Sequence, residues 1–582
     1  MRHEFDLVNR ELVAKAIGEL CFEQVLVARP RDKKAGQDSR VLELSSGVHY
    51  RFNSEQGIWD FFVVEPESLE RFADGQWRRD INAAQFFIDC QRECDISDIN
   101  LSNFISELKL NLYSDLKLLQ DRKAGGKDHF DLDHLASQNR INGHPKLLVN
   151  KGRIGWEPAD LSLYAPEFNP CFQLFWIAVS HDLIKSHMSP CWSQDKVISS
   201  SMDHEEAQRF HQVCREKTLS SEEFFFLPVH PWQWQNVLQT ELIDWIWEGQ
   251  VFPLGVFGDD YRPQVSIRTV SNITRPECPD IKLALSIMNT SCYRGIPAKY
   301  IDIAPELSQW LQSVVDSDSL LRGRVAVLKE PAACSFQHPQ YETLPDGAYR
   351  LKEQLGCIWR DSVASTIDDD EEAILTACLS HIRDDRQCLG SHLIESSGLS
   401  PAEWMRLYFE VVVLPLYHLQ VSYGVGLVAH GQNTILVLKE NRPHRLLLKD
   451  LQGDLRFIQD EIPELDRVSG TIKSTVTRLP PEYLIHDLIT GHFISVLRFL
   501  SLDLKRDIGF AEGRFYKILA DVVRNYVAGH SYPERIKRMD LLRPKIERVL
   551  VNKVKFKLGY GDLQERPVPA LGDDLANPLG GE

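Results

Sequence analysis

The sequence predicts an α+β protein built from two or three packed lobes, and three observations carry that prediction. The chain has 582 residues, well beyond the ~250–300 at which a single hydrophobic core stops growing. Its N-terminal part mixes two periodicities: Leu7 to Ile17 repeats apolar residues at helical spacing, whereas Val48 to Phe52 reads as a short strand. Farther on, apolar Thr434 to Leu438, a turn at Glu440-Asn441-Arg442-Pro443 and apolar Arg445 to Leu448 read as a β-hairpin.

The N-terminal lobe is expected within residues 1–140, with loops at the polar stretches Arg31 to Arg40 and Asp121 to Asp128. A middle lobe, 141–370, holds most of the His, Arg, Lys and Trp clusters. The acidic run Asp368 to Glu372 reads as a solvated linker or helix start, and a largely helical lobe, 371–582, follows it. From Gly559 onward the Gly, Pro and Asp content reads as a loose tail. No period of about 20–50 residues recurs, which argues against a solenoid or propeller.

A net charge of −17 and a pI near 5.6 argue against a nucleic-acid partner, because a phosphate backbone demands a basic stripe. The 12 cysteines contain no C-x-x-C pair and read as reduced thiols of a cytoplasmic protein. Met1 to Asp6 lacks the apolar stretch of a signal peptide. Val411 to Ala429 carries no Lys, Arg, Asp or Glu and approaches the ~20 residues of a membrane span. Pro415, His418, Gln420, Ser422 and two glycines interrupt it, so a buried helix followed by a strand is expected and no membrane partner.

The strongest local signal is His430-Gly431-Gln432-Asn433 leading into the hairpin, with Lys449-Asp450 at its far end. A hairpin returns its second strand to where the first began, so His430, Asn433 and Asp450 should gather around one point. Magnesium bound to a nucleotide takes a carboxylate and few other protein oxygens, roles that Asn433 and Asp450 fit. The same residue types are also ordinary turn residues.

A second cluster holds Ser266, Arg268, Thr269, Lys282, Thr290 and Arg294. An Arg fork beside two hydroxyls suits a polyphosphate. Lys282, on an expected strand from Ile281 to Ile287, would share a face with Ala284 and Ser286; the plain alternative makes it the solvent side of an edge strand. Gly143-His144-Pro145-Lys146 and Lys151-Gly152-Arg153 offer cations for a carboxylate or nucleotide, while His230 among aromatics reads as a core histidine. There is no P-loop, G-x-S-x-G elbow or H-E-x-x-H helix.

In combination these motifs resemble the IucA/IucC family of siderophore synthetases, which act independently of non-ribosomal peptide synthetases. The resemblance rests on Gly143-His144-Pro145, Pro228-Val229-His230-Pro231-Trp232-Gln233, Ser266-x-Arg268-Thr269, Lys282-Leu283, Thr290-Ser291-x-x-Arg294, His430-Gly431-Gln432-Asn433 and Lys449-Asp450-Leu451-Gln452-Gly453, and runs to about residue 560. It implies a thumb, fingers and palm arrangement with a distantly kinase-like palm, and a homodimer. It also implies that a carboxylate of a citrate derivative attacks the α-phosphate of ATP to give an acyl-adenylate, which a hydroxamate amine then converts to an amide. Ser266, Arg268, Thr269 and Lys282 would hold phosphates, with His144, Lys151, His430 and Gln432 also on the nucleotide side. Arg294 and His430 would lie between nucleotide and citrate, Thr290 would orient the carboxylate, Lys555 would point toward citrate with its neighbour Lys553 as the alternative in register, and Asn433 with Asp450 would hold Mg2+. The sequence departs from the family at Leu147-Leu148, where a second His-Pro is common, and at Val428, where Glu often precedes Ala-His.

The reaction expected from the resemblance joins citryl-N6-acetyl-N6-hydroxylysine to a second N6-acetyl-N6-hydroxylysine, giving aerobactin, AMP and pyrophosphate. A first condensation on free citrate, or a shorter amine, needs the same core residues. Two other classes stay open at this point: a kinase-like small-molecule phosphotransferase, and a non-catalytic hydroxamate-binding protein.

Overall fold

The computed structural model describes residues 2–34, 37–124, 133–138, 141, 143–290, 292–381, 387–530, 532–560 and 570–580. The N-terminal helix Arg2–Phe22 buries Val8, Leu12, Val13, Ala16, Ile17 and Leu20, the spacing that puts one apolar stripe on one side. It packs with the long helix Asp98–Ala124 and a six-stranded sheet. Their shared core includes Ile17, Tyr50, Phe52, Phe87, Phe104 and Leu108, joined by Phe556 from the far end of the chain.

Two expected loops are corrected here. Arg31 to Arg40 belongs largely to strands Ala28–Lys34 and Gln37–Glu43, paired antiparallel with Ala28 opposite Leu42. The first of these is the edge of its sheet, where charged side chains keep a strand from pairing with other chains. Helix Asp98–Ala124 likewise takes the start of the stretch Asp121 to Asp128; residues 125–128 lie outside the described residues.

An eight-stranded sheet forms the middle of the chain, in the order Ile184–Met188, Ala332–Phe336, Gly356–Arg360, Asp280–Leu283, Thr269–Asn272, Val251–Pro263, Phe172–Ser180 and Phe224–Val229. Every pairing in it is antiparallel. Thr269 opposes Lys282, and Asp280 opposes Arg360. Because strand side chains alternate, Asp280 and Lys282 share a face on which Thr269 and Arg360 also lie. The expected strand through Ile281 to Ile287 is in fact two: it breaks at Ala284, and Leu285–Asn289 pairs in a separate two-stranded sheet with Cys292–Arg294. Lys282 is therefore on an interior strand, 8% exposed, and not on an edge.

The hairpin is present as Thr434–Lys439 and Arg442–Leu448. Glu440 and Asn441 both have positive φ, 52° and 60°, so the two-residue loop has the twist that suits antiparallel strands. The hairpin lies between the parallel strand Val325–Val327 and the antiparallel strand Glu372–Leu375. The acidic run is thus neither linker nor helix start: it turns into that strand, and Glu371 is buried against Arg445.

Pro401–Tyr408, opened by a capping box between Ser400 and Glu403, leads through a π-helical turn into Leu414–Tyr423. Gly424, at φ 63°, ends that helix and starts the buried strand Val425–Leu427. Helix followed by strand is what the uncharged stretch predicts, and no described helix is long and apolar enough to cross a membrane. The final segment is not a loose tail where it is described. Ala570–Ala576 pairs antiparallel with Lys545–Leu550, burying Leu575, and Leu579 just beyond the strand is buried as well.

Candidate active site

His430 stands at the entry to the hairpin. Its Nδ1 accepts the backbone N–H of Gln432 at 3.2 Å, and its carbonyl accepts that of Asn433 at 2.9 Å. The same local turn recurs at His144, whose Nδ1 accepts Lys146 N–H at 3.2 Å, and at His230, whose Nδ1 accepts Trp232 N–H at 3.1 Å. An imidazole that accepts through Nδ1 carries its neutral-state proton on Nε2. The rings of His144 and His430 are 6.2 Å apart. Burial, then His430, Lys15, Lys146 and Arg498, push the His144 imidazole well below the usual histidine range, so it is neutral. His230 is fully buried against Tyr164 and Phe172, a core histidine as its sequence context predicts.

At the other end of the hairpin Asp450 has a left-handed backbone, φ 59°. Its Oδ1 accepts both Lys282 Nζ and Arg360 Nη1, each at 3.1 Å. Arg360 Nη2 also reaches Asp280 Oδ2 and Gln264 Oε1, each at 3.2 Å, and Lys449 Nζ reaches the same Gln264 oxygen at 3.2 Å. Ser271 and Gln264 complete the set around Asp280 at 2.7 and 2.6 Å. Burial works against the Asp450 charge, but Lys282, Arg360 and Lys449 outweigh it and hold the carboxyl well below its usual range. The ammonium of Lys449 is pushed down to about 8 by burial and by Arg360. Glu330, buried nearby and accepting Gln452 Nε2 at 2.9 Å, is pushed up to about 7 by burial, with Asp450 adding to the rise and Lys282 opposing it. Three cations and three carboxyl groups thus share one buried junction between the sheet face and the hairpin.

Asn433 faces the same junction differently from the expectation. Its Nδ2 donates to Val428 O at 3.1 Å and to Asp454 Oδ2 at 3.0 Å, so its amide is turned to Asp454 and not to Asp450. Asp450 is 7% exposed, not an open surface carboxylate.

Ser266 Oγ accepts the N–H of Thr269 at 3.2 Å across a turn in which Ile267 has φ 65°. Arg268 donates to the carbonyl of Gly295. Arg294 lies within the short strand Cys292–Arg294, not after it, and its Nη2 donates to Asn289 O at 2.7 Å and Thr290 Oγ1 at 2.8 Å. Arg268, Thr290 and Arg294 are therefore brought together, with Thr290 in a left-handed turn, φ 66°. Ser291 lies outside the described residues.

Lys151 and Lys555 have other partners. Along helix Asp98–Ala124, Glu107, Asn111 and Asp115 fall on one face at i, i+4 and i+8. Glu107 takes Lys555, Asn111 accepts the backbone N–H of Lys151 at 2.8 Å, and Asp115 takes Lys151 Nζ at 2.6 Å. Lys553 is exposed, which makes Lys555 the inward lysine of its helix. Sequence reasoning missed Arg360, Asp280, Gln264, Glu330, Gln452 and Asp454. Only Gln452 and Asp454 had a signal, lying beside Asp450; Arg360 is reached through strand register alone.

A sheet face carrying Lys282 and Arg360 against an Asn- and Asp-bearing hairpin is the frame of the site, and the chain belongs to the IucA/IucC family, a siderophore synthetase of the ligase type. The IucA / IucC family model matches residues 134–381, and a model described as ferric iron reductase FhuF-like transporter matches residues 402–564. Among particular proteins, the chain is 40% identical to aerobactin synthase of Escherichia coli, over 100% of this chain and 98% of that one. It is 30% identical to the rhizobactin siderophore biosynthesis protein RhbF of Rhizobium meliloti, over 98% and 95%. Among solved structures, aerobactin synthetase IucC from a hypervirulent pathotype of Klebsiella pneumoniae aligns with TM-score 0.87 at 36% identity, over 100% of this chain and 99% of that one.

Proposed function

We propose that this protein activates a carboxylate of citryl-N6-acetyl-N6-hydroxylysine with ATP and joins it to a second N6-acetyl-N6-hydroxylysine, releasing aerobactin, AMP and pyrophosphate. The observation that carries the reading is the shared hold of Lys282 and Arg360 on Asp450 beside His430-Gly431-Gln432-Asn433, in a chain that is 40% identical to an aerobactin synthase along its whole length. The amine and the carboxylate come from that likeness.

In this reading Ser266, Arg268, Thr269 and Lys282 bind phosphates, with His144, Lys151, His430 and Gln432 toward the nucleotide. Arg294 and His430 stand between nucleotide and citrate, where positive charge offsets what develops as the carboxylate attacks the α-phosphate. Thr290, held by Arg294, orients the carboxylate, and Lys555 receives citrate. The amine then attacks the acyl carbon, and AMP leaves.

Mg2+ would sit at Asn433 and Asp450. The donor chemistry fits, since both offer oxygens and the described residues donate to Asp450 only through Oδ1. An ion of this kind takes one or two carboxylates and completes its shell with phosphate and water. When bound, the ion neutralises phosphate charge.

The three lobes are read as thumb (1–140), fingers (141–370) and a kinase-like palm (371–582), in a cytoplasmic homodimer. The test is product analysis with ATP, Mg2+ and a panel of citrate, citryl-hydroxamate and amine substrates. Equal AMP and pyrophosphate with an amide product support the ligase. ADP with a phosphorylated substrate would move it to the phosphotransferase class.

A further inference from the structure

Lys282 and Arg360 donate to the same oxygen of Asp450, yet the two cations are held very differently. Among the described residues Lys282 hydrogen-bonds to Asp450 alone, from a flexible four-carbon stem, and is 8% exposed. Arg360 is 1% exposed and is fixed by three acceptors: Asp450, Asp280 and Gln264. Its strand lies between two neighbours in the eight-stranded sheet, and Asp280 sits directly opposite it in register. A planar fork pinned on this many sides has nowhere to go, whereas an ammonium with one partner can change partners at little cost.

Building on the ligase reading, we propose that Lys282 and Arg360 divide two jobs: Lys282 leaves Asp450 for the nucleotide phosphates, and Arg360 stays as a positioning residue that keeps Asp450 paired and aimed at the cation site. Asp450 without any partner would be a buried carboxylate, which is costly. One fixed counter-ion lets Lys282 depart without leaving it so. Because Arg360 occupies Oδ1, Oδ2 is the oxygen presented to a divalent cation.

The test separates the two jobs by direct binding. Calorimetric titration of ATP is run with and without Mg2+ on the full-length wild-type protein, Lys282→Met, Arg360→Lys and Asp280→Asn. Lys282→Met is expected to weaken ATP at least tenfold both with and without metal, while the gain in affinity that Mg2+ brings stays. Arg360→Lys keeps the charge and loses the fork, so metal-free ATP affinity should stay within about twofold while the Mg2+ gain falls roughly tenfold, one 1.4 kcal/mol step. Asp280→Asn, which loosens Arg360 without touching Asp450, should move the Mg2+ gain in the same direction, and this arm stands even if Arg360→Lys folds poorly. An unchanged Mg2+ gain in folded Arg360→Lys and Asp280→Asn, with only the melting temperature lowered, would overturn the proposal and leave Arg360 a structural tie. Wild-type protein that binds no ATP would overturn the ligase reading itself.

Discussion

Lys555 Nζ lies 2.9 and 2.8 Å from the two carboxylate oxygens of Glu107, a fully buried group that also accepts the hydroxyl of Tyr560. A lysine from the C-terminal helix Asn552–Leu558 is thereby fixed to the long helix Asp98–Ala124. The same C-terminal helix is capped by Glu23, whose carboxylate accepts the N–H groups of Val551, Asn552 and Lys553 at 3.0–3.1 Å. An anion placed there satisfies the otherwise unpaired first N–H groups and suits the positive end of the helix.

Glu107→Gln should therefore loosen the aim of Lys555 without emptying its place. If Lys555 receives citrate, KM for the carboxylate substrate should rise about tenfold with kcat changed less, since ground-state binding is what is lost. Unchanged KM beside a lowered melting temperature would make the pair purely structural.

Asp450→Asn should abolish most pyrophosphate release and also cost stability. Removing one partner of a buried ion cluster leaves Lys282 and Arg360 facing each other, typically a loss of about 3–5 kcal/mol. Denaturant unfolding of wild type and variant measures the stability, and pyrophosphate release the activity. A variant as stable as wild type would mean that the two cations find other acceptors.

Arg294→Lys should lower kcat for pyrophosphate release by roughly 10², the scale of losing one preorganised donor. Arg294 reaches Asn289 O and Thr290 Oγ1 through Nη2 alone, so an ammonium could keep at most those two bonds and loses the other N–H groups of the planar fork. Normal kinetics in the variant would remove Arg294 from the site.

Asp503 gives a pH dependence away from the site. Burial pushes its carboxyl up to about 7, with Asp507 and Glu55 adding to the rise and Arg506 opposing it. The folded state thus holds this proton at pH values where the unfolded chain has lost it, so the contribution to stability falls as pH rises from about 4 to 7. Asp503→Asn should flatten that decline and stabilise the protein at pH 8 by about 1–2 kcal/mol, a part of the 1.36 kcal/mol per unit that a fully buried group would show. Equal slopes of stability against pH in both proteins would exclude the effect.

Much of the fold was legible because local chemistry decides it. The hairpin from Thr434 to Leu448 follows from two apolar runs around a short turn, and the buried helix and strand around Gly424 follow from an uncharged stretch with one residue suited to positive φ. The reading failed where polarity was taken for disorder. Ala28–Lys34 is a charged edge strand, and Ala570–Ala576 is a strand with a single buried side chain, Leu575. A strand with one solvated face, or one so short, carries little apolar signal of its own.

At the site, residue types and motif order point to Lys282, Arg294, His430, Asn433 and Asp450 from the sequence alone, since phosphate and metal chemistry restrict which side chains can serve. Which of them meet was decided only in three dimensions. Arg360 reaches Asp450 because its strand pairs with that of Asp280 and Lys282, and Asn433 turns to Asp454 because the hairpin closes on the segment after it. Strand register and lobe packing act between residues far apart in the chain, so the contacts they make, and the charges those contacts stabilise, have no local trace to read.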